Sequence, residues 1–318
     1  NKLGDFDIIC GIPYGGLPIA TYISTRYNKP LIFVRDAPKD YGTKKQIEGE
    51  FKKTNKCVII DDVITTGKSL QNAIDLLKDK VTIVETFVIF DRQQGHCCSL
   101  PVKSLFFKND IIRHRLNEIK KRKKSNLCFS ADIENINKLN EIIENIGKYI
   151  VICKIHYDII DDKNEKYKKK LVDLSIKHDF LIMEDRKFND ISYIVNKQYR
   201  KFANWVDLVT VHSLVSKDVL KLFPGILLVA NMSNNDYDYT DKALQQANNN
   251  PDNVIGFITQ KRIKSDDFIS MTPGVSIKAS QNKDQKYRDV RNIDADIIVV
   301  GRALYNSTNL KQDIHKFV

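Results

Sequence analysis

FLIMEDRK, residues 180–187, decides how the larger part of this chain is read. Apolar residues run straight into charge, from Glu184 to Lys187. Short apolar runs bounded by polar residues are the mark of buried strands. NLCFSAD (126–132), YIVICKIH (149–156) and DLVTVHS (207–213) share the rhythm, and so do ILLVAN (226–231), NVIGFIT (253–259), SMTPGVS (270–276) and ADIIVVG (295–301). Helical or loop-rich stretches such as IENINKLNEIIENIG (133–147) separate them. Eight strands with helical crossovers are what closure into a (β/α)₈ TIM barrel requires. The expected fold class is therefore α/β, with a compact C-terminal barrel over residues 126–318.

The polar residues follow from that reading. Asp132, Lys154, Asp185, Lys187, Ser233 and Arg302 all fall at or just past the C-terminal ends of their strands. In such barrels those ends form the face on which chemistry occurs. Within EDRKFNDI (184–191), Asp185, Lys187 and Asp190 lie close together, and Lys154 arrives from the preceding strand. Opposite charges nearby favour the charged form of a lysine. Taken alone, a solvated strand end with salt bridges would look similar.

Upstream, Asp7–Cys10, Pro30–Val34, Lys56–Ile60 and Val84–Phe90 read as strands. Ala20–Tyr27 and Ser69–Leu77 have helical spacing. Strand–helix alternation points to an open, mostly parallel sheet. The expected domains are 1–107, a charged connecting helix at 108–125, and the barrel from 126. In CVIIDDVITTGKS (57–69) a buried strand leads into an acidic, hydroxyl-rich turn, and amides at a helix start cradle anions. No GxxxxGK[ST] Walker loop is present.

Bulk properties exclude less. Lys+Arg 51 against Asp+Glu 40 gives +11 over 318 residues. That charge suits nucleic acid or small phosphorylated metabolites equally. No apolar run reaches the ~18 residues of a membrane helix, and no secretory signal is recognised. The six cysteines have no CxxC spacing and read as thiols of a reducing, cytoplasmic compartment. Lys120–Lys124 could be a nuclear-localisation patch, but a solvated helix end is preferred.

LCFSAD, CKIHYDI, MEDRKFNDI, Met232–Ser233, MTPGV and IIVVGR occur in the order seen in orotidine 5′-phosphate decarboxylases. Residues 112–318 closely resemble the decarboxylase half of the bifunctional eukaryotic UMP synthases. The resemblance implies decarboxylation of orotidine 5′-monophosphate (OMP) to UMP in de novo pyrimidine biosynthesis, without a cofactor. It implies that Lys187 protonates C6 and that Asp185 opposes the substrate carboxylate, aligned with Lys154. Asp190 would enter the partner's site in a homodimer. Asp132 and Lys154 would grip the ribose, Ser233 and Gln285 would read the pyrimidine, and Tyr287 and Arg302 would hold the phosphate with amides near Gly301. Phosphate between the loops after the last two strands is common in barrels, and arginine's planar fork suits it. Departures from the family are Ile155 and Ser192–Ile194, where hydroxyl-bearing or small residues are usual.

Residues 57–69 resemble the phosphoribosyl pyrophosphate (PRPP) motif of type I phosphoribosyltransferases. That implies ribose contacts from Asp61 and Asp62, and a phosphate cradle from Thr65, Thr66, Gly67, Lys68 and Ser69. KDYGTKKQIEGE (39–50) resembles the catalytic loop of orotate phosphoribosyltransferase. Lys39 would neutralise pyrophosphate with Arg35, Lys44 or Lys45, and Mg²⁺ would accompany PRPP; no side-chain metal ligand is assigned. CGIPYGGLP (10–18) resembles the pyrophosphate loop and DRQQG (91–95) the orotate loop, with Arg92 on the carboxylate. Asp36 stands where the family has Lys, and the family's N-terminal segment has no counterpart in these residues. Three readings stay open: a bifunctional enzyme, a decarboxylase with a vestigial transferase domain, and a nucleotide-sensing or RNA-binding protein on an inactive scaffold. None involves a membrane, and the first two involve no nucleic acid.

Overall fold

Apolar runs that are buried on both sides read as unbroken rather than alternating, and both halves of the chain are built from such runs. The computed structural model describes residues 4–35, 46–93, 95–161, 164–233, 237–281 and 285–318. The chain divides into two units, Asn1–Lys108 and Asn109–Val318.

The first unit holds β1 (Ile8–Gly11), α1 (Gly16–Tyr27), β2 (Leu31–Val34), β3 (Ile47–Glu48), β4 (Lys56–Ile64), α2 (Lys68–Leu77), β5 (Thr82–Asp91) and β6 (Val102–Phe107). The sheet order is β3-β2-β1-β4-β5-β6. Only the β2–β3 pair is antiparallel. Ile8, Cys10, Cys57 and Ile59 face one side with Leu70, Ile74 and Leu77 of α2. Ile9, Val58 and Ile60 face the other with Ala20 of α1. Two differences from the sequence reading have a physical cause. The edge strands β3 and β6 carry weak alternation and were not foreseen. Strand β4 continues through Asp61 and Asp62, because its ladder with β5 extends to Ile64↔Asp91; the acidic pair is strand, not turn.

The second unit closes eight parallel strands into a barrel: β7 (Leu127–Ser130), β8 (Ile152–Ile155), β9 (Leu181–Phe188), β10 (Leu208–His212), β11 (Ile226–Val229), β12 (Val254–Ile258), β13 (Ile269–Thr272) and, after a small sheet of β14 (Val275–Ser276), β15 (Ser280–Gln281) and β16 (Lys286–Asp289), the last strand β17 (Ile297–Val300). Helices α4 (Ile136–Ile146), α5 (Glu165–His178), α6 (Ser192–Tyr199), α7 (Lys217–Leu220) and α8 (Thr240–Asn249) lie between the first six strands. After β17 come the short helices α9 (Arg302–Tyr305) and α10 (Leu310–Asp313). The expected alternation lapses at two connections: among the described residues no α-helix lies between β13 and β17, where the small sheet sits, and residues 259–268 contain none either. Arg262 instead ties that connection to Asp294 and Asp296, at 2.8 and 2.7 Å.

Helix α3 (Lys108–Lys123), read from the sequence as a connector, packs within the barrel unit. Its Ile112, Leu116 and Ile119 join the inward-facing Cys128, Ile152, Leu181, Leu208, Leu227, Ile255 and Ile297 in one buried cluster. It closes the floor of the barrel. The basic run is engaged at the same end: Lys123 donates to the carbonyls of Gly147 and Ile150, and Arg122 pairs with Asp179.

Candidate active site

A period of two sends alternate strand residues to opposite faces, and here it sorts chemistry from packing. On β7, β8 and β10, Leu127, Phe129, Cys153, Ile155, Val209 and Val211 face the surrounding helices. Cys128, Ile152 and Leu208 face the barrel interior. Two residues on, at the upper rim, the interior positions are Ser130, Lys154 and Thr210. The departure at Ile155 is thus absorbed in the apolar layer, where it is fully buried.

The rim encloses a cleft of about 220 Å³ lined by Asp132, Lys154, Asp185 and Lys187 on one side, and by Ser233, Gln285, Tyr287, Gly301 and Arg302 on the other. Lys154 Nζ lies 2.9 Å from Asp185 Oδ2, and Lys187 Nζ lies 2.9 Å from Asp185 Oδ1. Asp132 Oδ1 is 3.3 Å from Lys154 Nζ. Burial alone would push the Lys154 ammonium down, but Asp185 and then Asp132 reverse that and hold it above the ordinary lysine range. Burial would raise the Asp185 carboxyl; Lys154 and Lys187 overcome it and hold it well below the usual carboxylate range. Glu184, the next residue along β9, is pushed up to about 8 by burial, while the Tyr157 amide donating to it acts the other way.

Strand β9 is irregular where the charged groups sit. Val209 pairs with Glu184, but Val211 pairs with Phe188, so extra β9 residues bulge out between them. Bulges commonly lie next to active sites, where they re-aim side chains. Lys187 has φ 53°, a left-handed conformation that costs a non-glycine residue about 1–3 kcal/mol.

On the other side, Gln285 Nε2 donates to Ser233 Oγ at 3.1 Å. Gly274, at φ 75°, lets these loops meet; a Cβ there would lie 2.8 Å from Lys286 O and 3.3 Å from Ser233 Cβ. Arg302 opens α9 directly after Gly301. Asp190 is exposed and does not line the cleft. His156 and Ser130, which no motif singles out, do line it. His156 Nε2 is 3.0 Å from Lys154 Nζ. An ammonium only donates, so that nitrogen accepts and the ring is neutral; burial and then Lys154 push its pKa down. Strand alternation was the signal that could have found Ser130.

In the first unit the strand order reverses between β1 and β4, and ligands of open parallel sheets bind outside the strand ends at such a point. Asp61, Thr65, Thr66, Gly67, Lys68 and Ser69 line a pocket of about 150 Å³ there. The loop after β1 lies against Asp62: a Cβ on Gly15 would overlap its carboxylate. Burial pushes Asp61 up to about 7, against the Asp62 amide that donates to it. Arg92 is exposed, and its amide donates to Ile64 O at the end of β4. Arg35 is paired with Glu48 at 2.9 Å and is not brought to that pocket. Asp36, Lys39, Lys44 and Lys45 lie outside the described residues.

This architecture defines an α/β enzyme of the TIM-barrel class that follows a phosphoribosyltransferase-type sheet in the same chain. Residues 125–317 match the orotidine 5′-phosphate decarboxylase / HUMPS family, and residues 2–103 match the phosphoribosyl transferase domain. The uridine 5′-monophosphate synthase of Bos taurus is 31% identical over 96% of this chain and 82% of its own length. The orotidine 5′-phosphate decarboxylase of Pachysolen tannophilus is 36% identical over 61% of this chain and 83% of its own. A solved orotidine 5′-monophosphate decarboxylase of Methanocaldococcus jannaschii is 18% identical with a TM-score of 0.48, covering 61% of this chain and 96% of that one. The chain belongs to the orotidine 5′-phosphate decarboxylase / HUMPS family and, over both domains, to the uridine 5′-monophosphate synthases.

Proposed function

We propose that the barrel converts OMP to UMP and that the first unit makes OMP from orotate and PRPP. The observation that carries the first half is Asp185 held between two ammonium groups in a cleft whose far side carries Arg302. Losing carbon dioxide from C6 leaves an electron pair in the ring plane, with no π system to spread it. A positive group fixed in advance stabilises charge that develops in the transition state. The C6–carboxylate bond breaks, the pair stays on C6, and Lys187 transfers a proton to it. Asp185 faces the substrate carboxylate and disfavours the ground state, while Lys154 and Lys187 hold it in place.

Asp132, Lys154 and His156 suit the ribose hydroxyls, Ser233 and Gln285 the pyrimidine edge, and Tyr287, the Gly301 region and Arg302 the 5′-phosphate. Phosphate binding far from C6 offsets the cost of aligning the reacting groups. Asp190, exposed beside the bulge, would complete the site of a second copy in a homodimer.

In the transferase unit, Asp61 and Asp62 would hold the PRPP ribose, and the 65–69 loop its 5′-phosphate. Lys39 and Lys44 would neutralise pyrophosphate, and Arg92 would meet orotate. Mg²⁺ would accompany PRPP, supplying positive charge at the pyrophosphate. All six cysteines are free thiols, which suits a cytoplasmic location.

The test is spectrophotometric. Purified protein should deplete the absorbance of OMP, and orotate with PRPP and Mg²⁺ should yield UMP. No change with OMP overturns the decarboxylase assignment; turnover of OMP alone confines activity to the barrel.

A further inference from the structure

The bulge in β9 leaves two things to be held: a strained lysine backbone and a carboxylate that must not rotate. One neighbouring side chain holds both. Thr210, on β10, is fully buried. Its Oγ1 accepts the backbone N–H of Lys187 at 2.8 Å and donates to Asp185 Oδ1 at 2.8 Å. That same oxygen of Asp185 receives Lys187 Nζ at 2.9 Å. The three groups form a closed loop: hydroxyl to carboxylate, carboxylate to ammonium, and back through the lysine backbone to the hydroxyl. Thr210 does not line the cleft.

We infer that Thr210 is a positioning residue for the decarboxylation, a latch that fixes the Lys187 backbone and the Asp185 carboxylate together. This rests on the decarboxylase reading above. The register gives an independent reason for the latch. Where β9 bulges, it leaves the β10 ladder between Val209 and Val211, and Thr210 is the β10 residue between those two pairs. Its hydroxyl supplies a partner for the Lys187 N–H, and a buried N–H left unpaired is costly. Orientation within about half an ångström governs how well a preorganised charge works. A hydroxyl fits because it donates and accepts at once; a methyl in its place does neither.

The experiment compares Thr210→Val, Thr210→Ser and Thr210→Ala with the parent enzyme. It reads kcat for OMP, the dissociation constant of UMP, and the midpoint of thermal unfolding. Turnover by the parent enzyme establishes the underlying reading; without it that reading fails, and the latch with it. Given turnover, the expected result is that kcat falls at least about tenfold in the valine variant. UMP affinity stays within about threefold, because the phosphate and ribose contacts are untouched, and serine restores most of kcat. If the valine variant is not folded, the serine and alanine variants decide on the same criterion, since they differ from each other only in the hydroxyl. Equal kcat in serine and alanine variants overturns the latch. So does a fall in kcat that follows loss of UMP affinity in proportion.

Discussion

Lys154 and Asp185 form an ion pair at 2.9 Å with side chains only 8% and 11% exposed. Removing one member of such a pair leaves an uncompensated buried charge, which costs about 3–5 kcal/mol. Asp185→Asn should therefore destabilise the barrel by about 3 kcal/mol near neutral pH, measured by urea unfolding. Asp185 has a depressed folded-state pKa, so its contribution is present above the unfolded value of about 4 and is lost as pH falls. Lys154 is raised, so its contribution is present below about pH 10 and is lost above it. The gap between parent and variant should be level from about pH 5 to 9 and about 1 kcal/mol smaller at pH 3. A gap that does not narrow in acid would contradict the pairing.

Lys187→Ala should remove the proposed proton donor and one of the two ammonium groups beside Asp185. Turnover of OMP should drop by at least about a thousandfold. Calorimetric titration with UMP should still show binding within about tenfold of the parent. Loss of binding in step with turnover would make Lys187 a binding residue only.

Arg302, between β17 and the body of α9, is the proposed phosphate ligand. A charge-assisted hydrogen bond contributes about 1.5–3 kcal/mol. Arg302→Ala should lower kcat/KM for OMP by about 10- to 150-fold. It should leave the much slower reaction of the nucleoside orotidine unchanged. An equal penalty on both substrates would place the arginine elsewhere in the mechanism.

Asp190 lies outside the cleft of its own chain, so a shared site makes a distinctive prediction. Asp190→Ala and Lys187→Ala proteins should each be inactive. Mixed dimers would carry one site with both lesions and one with neither, so refolding an equimolar mixture should recover about a quarter of parental activity. No recovery, from a mixture shown to exchange subunits, would argue for a site made by one chain.

Much of the site could be read from the chain because strand periodicity and strand ends are local properties. Apolar runs ending in Asp132, Lys154, Asp185 and Lys187 fix which residues reach the rim once a barrel forms. The same locality failed at Arg35: its partner Glu48 comes from the adjacent β3, a two-residue strand with almost no pattern to detect. It failed again at residues 259–268, where side-chain ties stand in for a helix.

By itself, then, the sequence determined the two-domain α/β plan, the eight strands and the residue types at their ends, since burial patterns and motif order reside in neighbouring residues. Tertiary structure alone decided that α3 closes the barrel floor, that β9 bulges at Asp185–Lys187, and that Thr210 joins those two groups. Each of these depends on contact between segments distant in sequence. A hydroxyl 23 residues from the lysine it supports becomes its neighbour only when the barrel shuts.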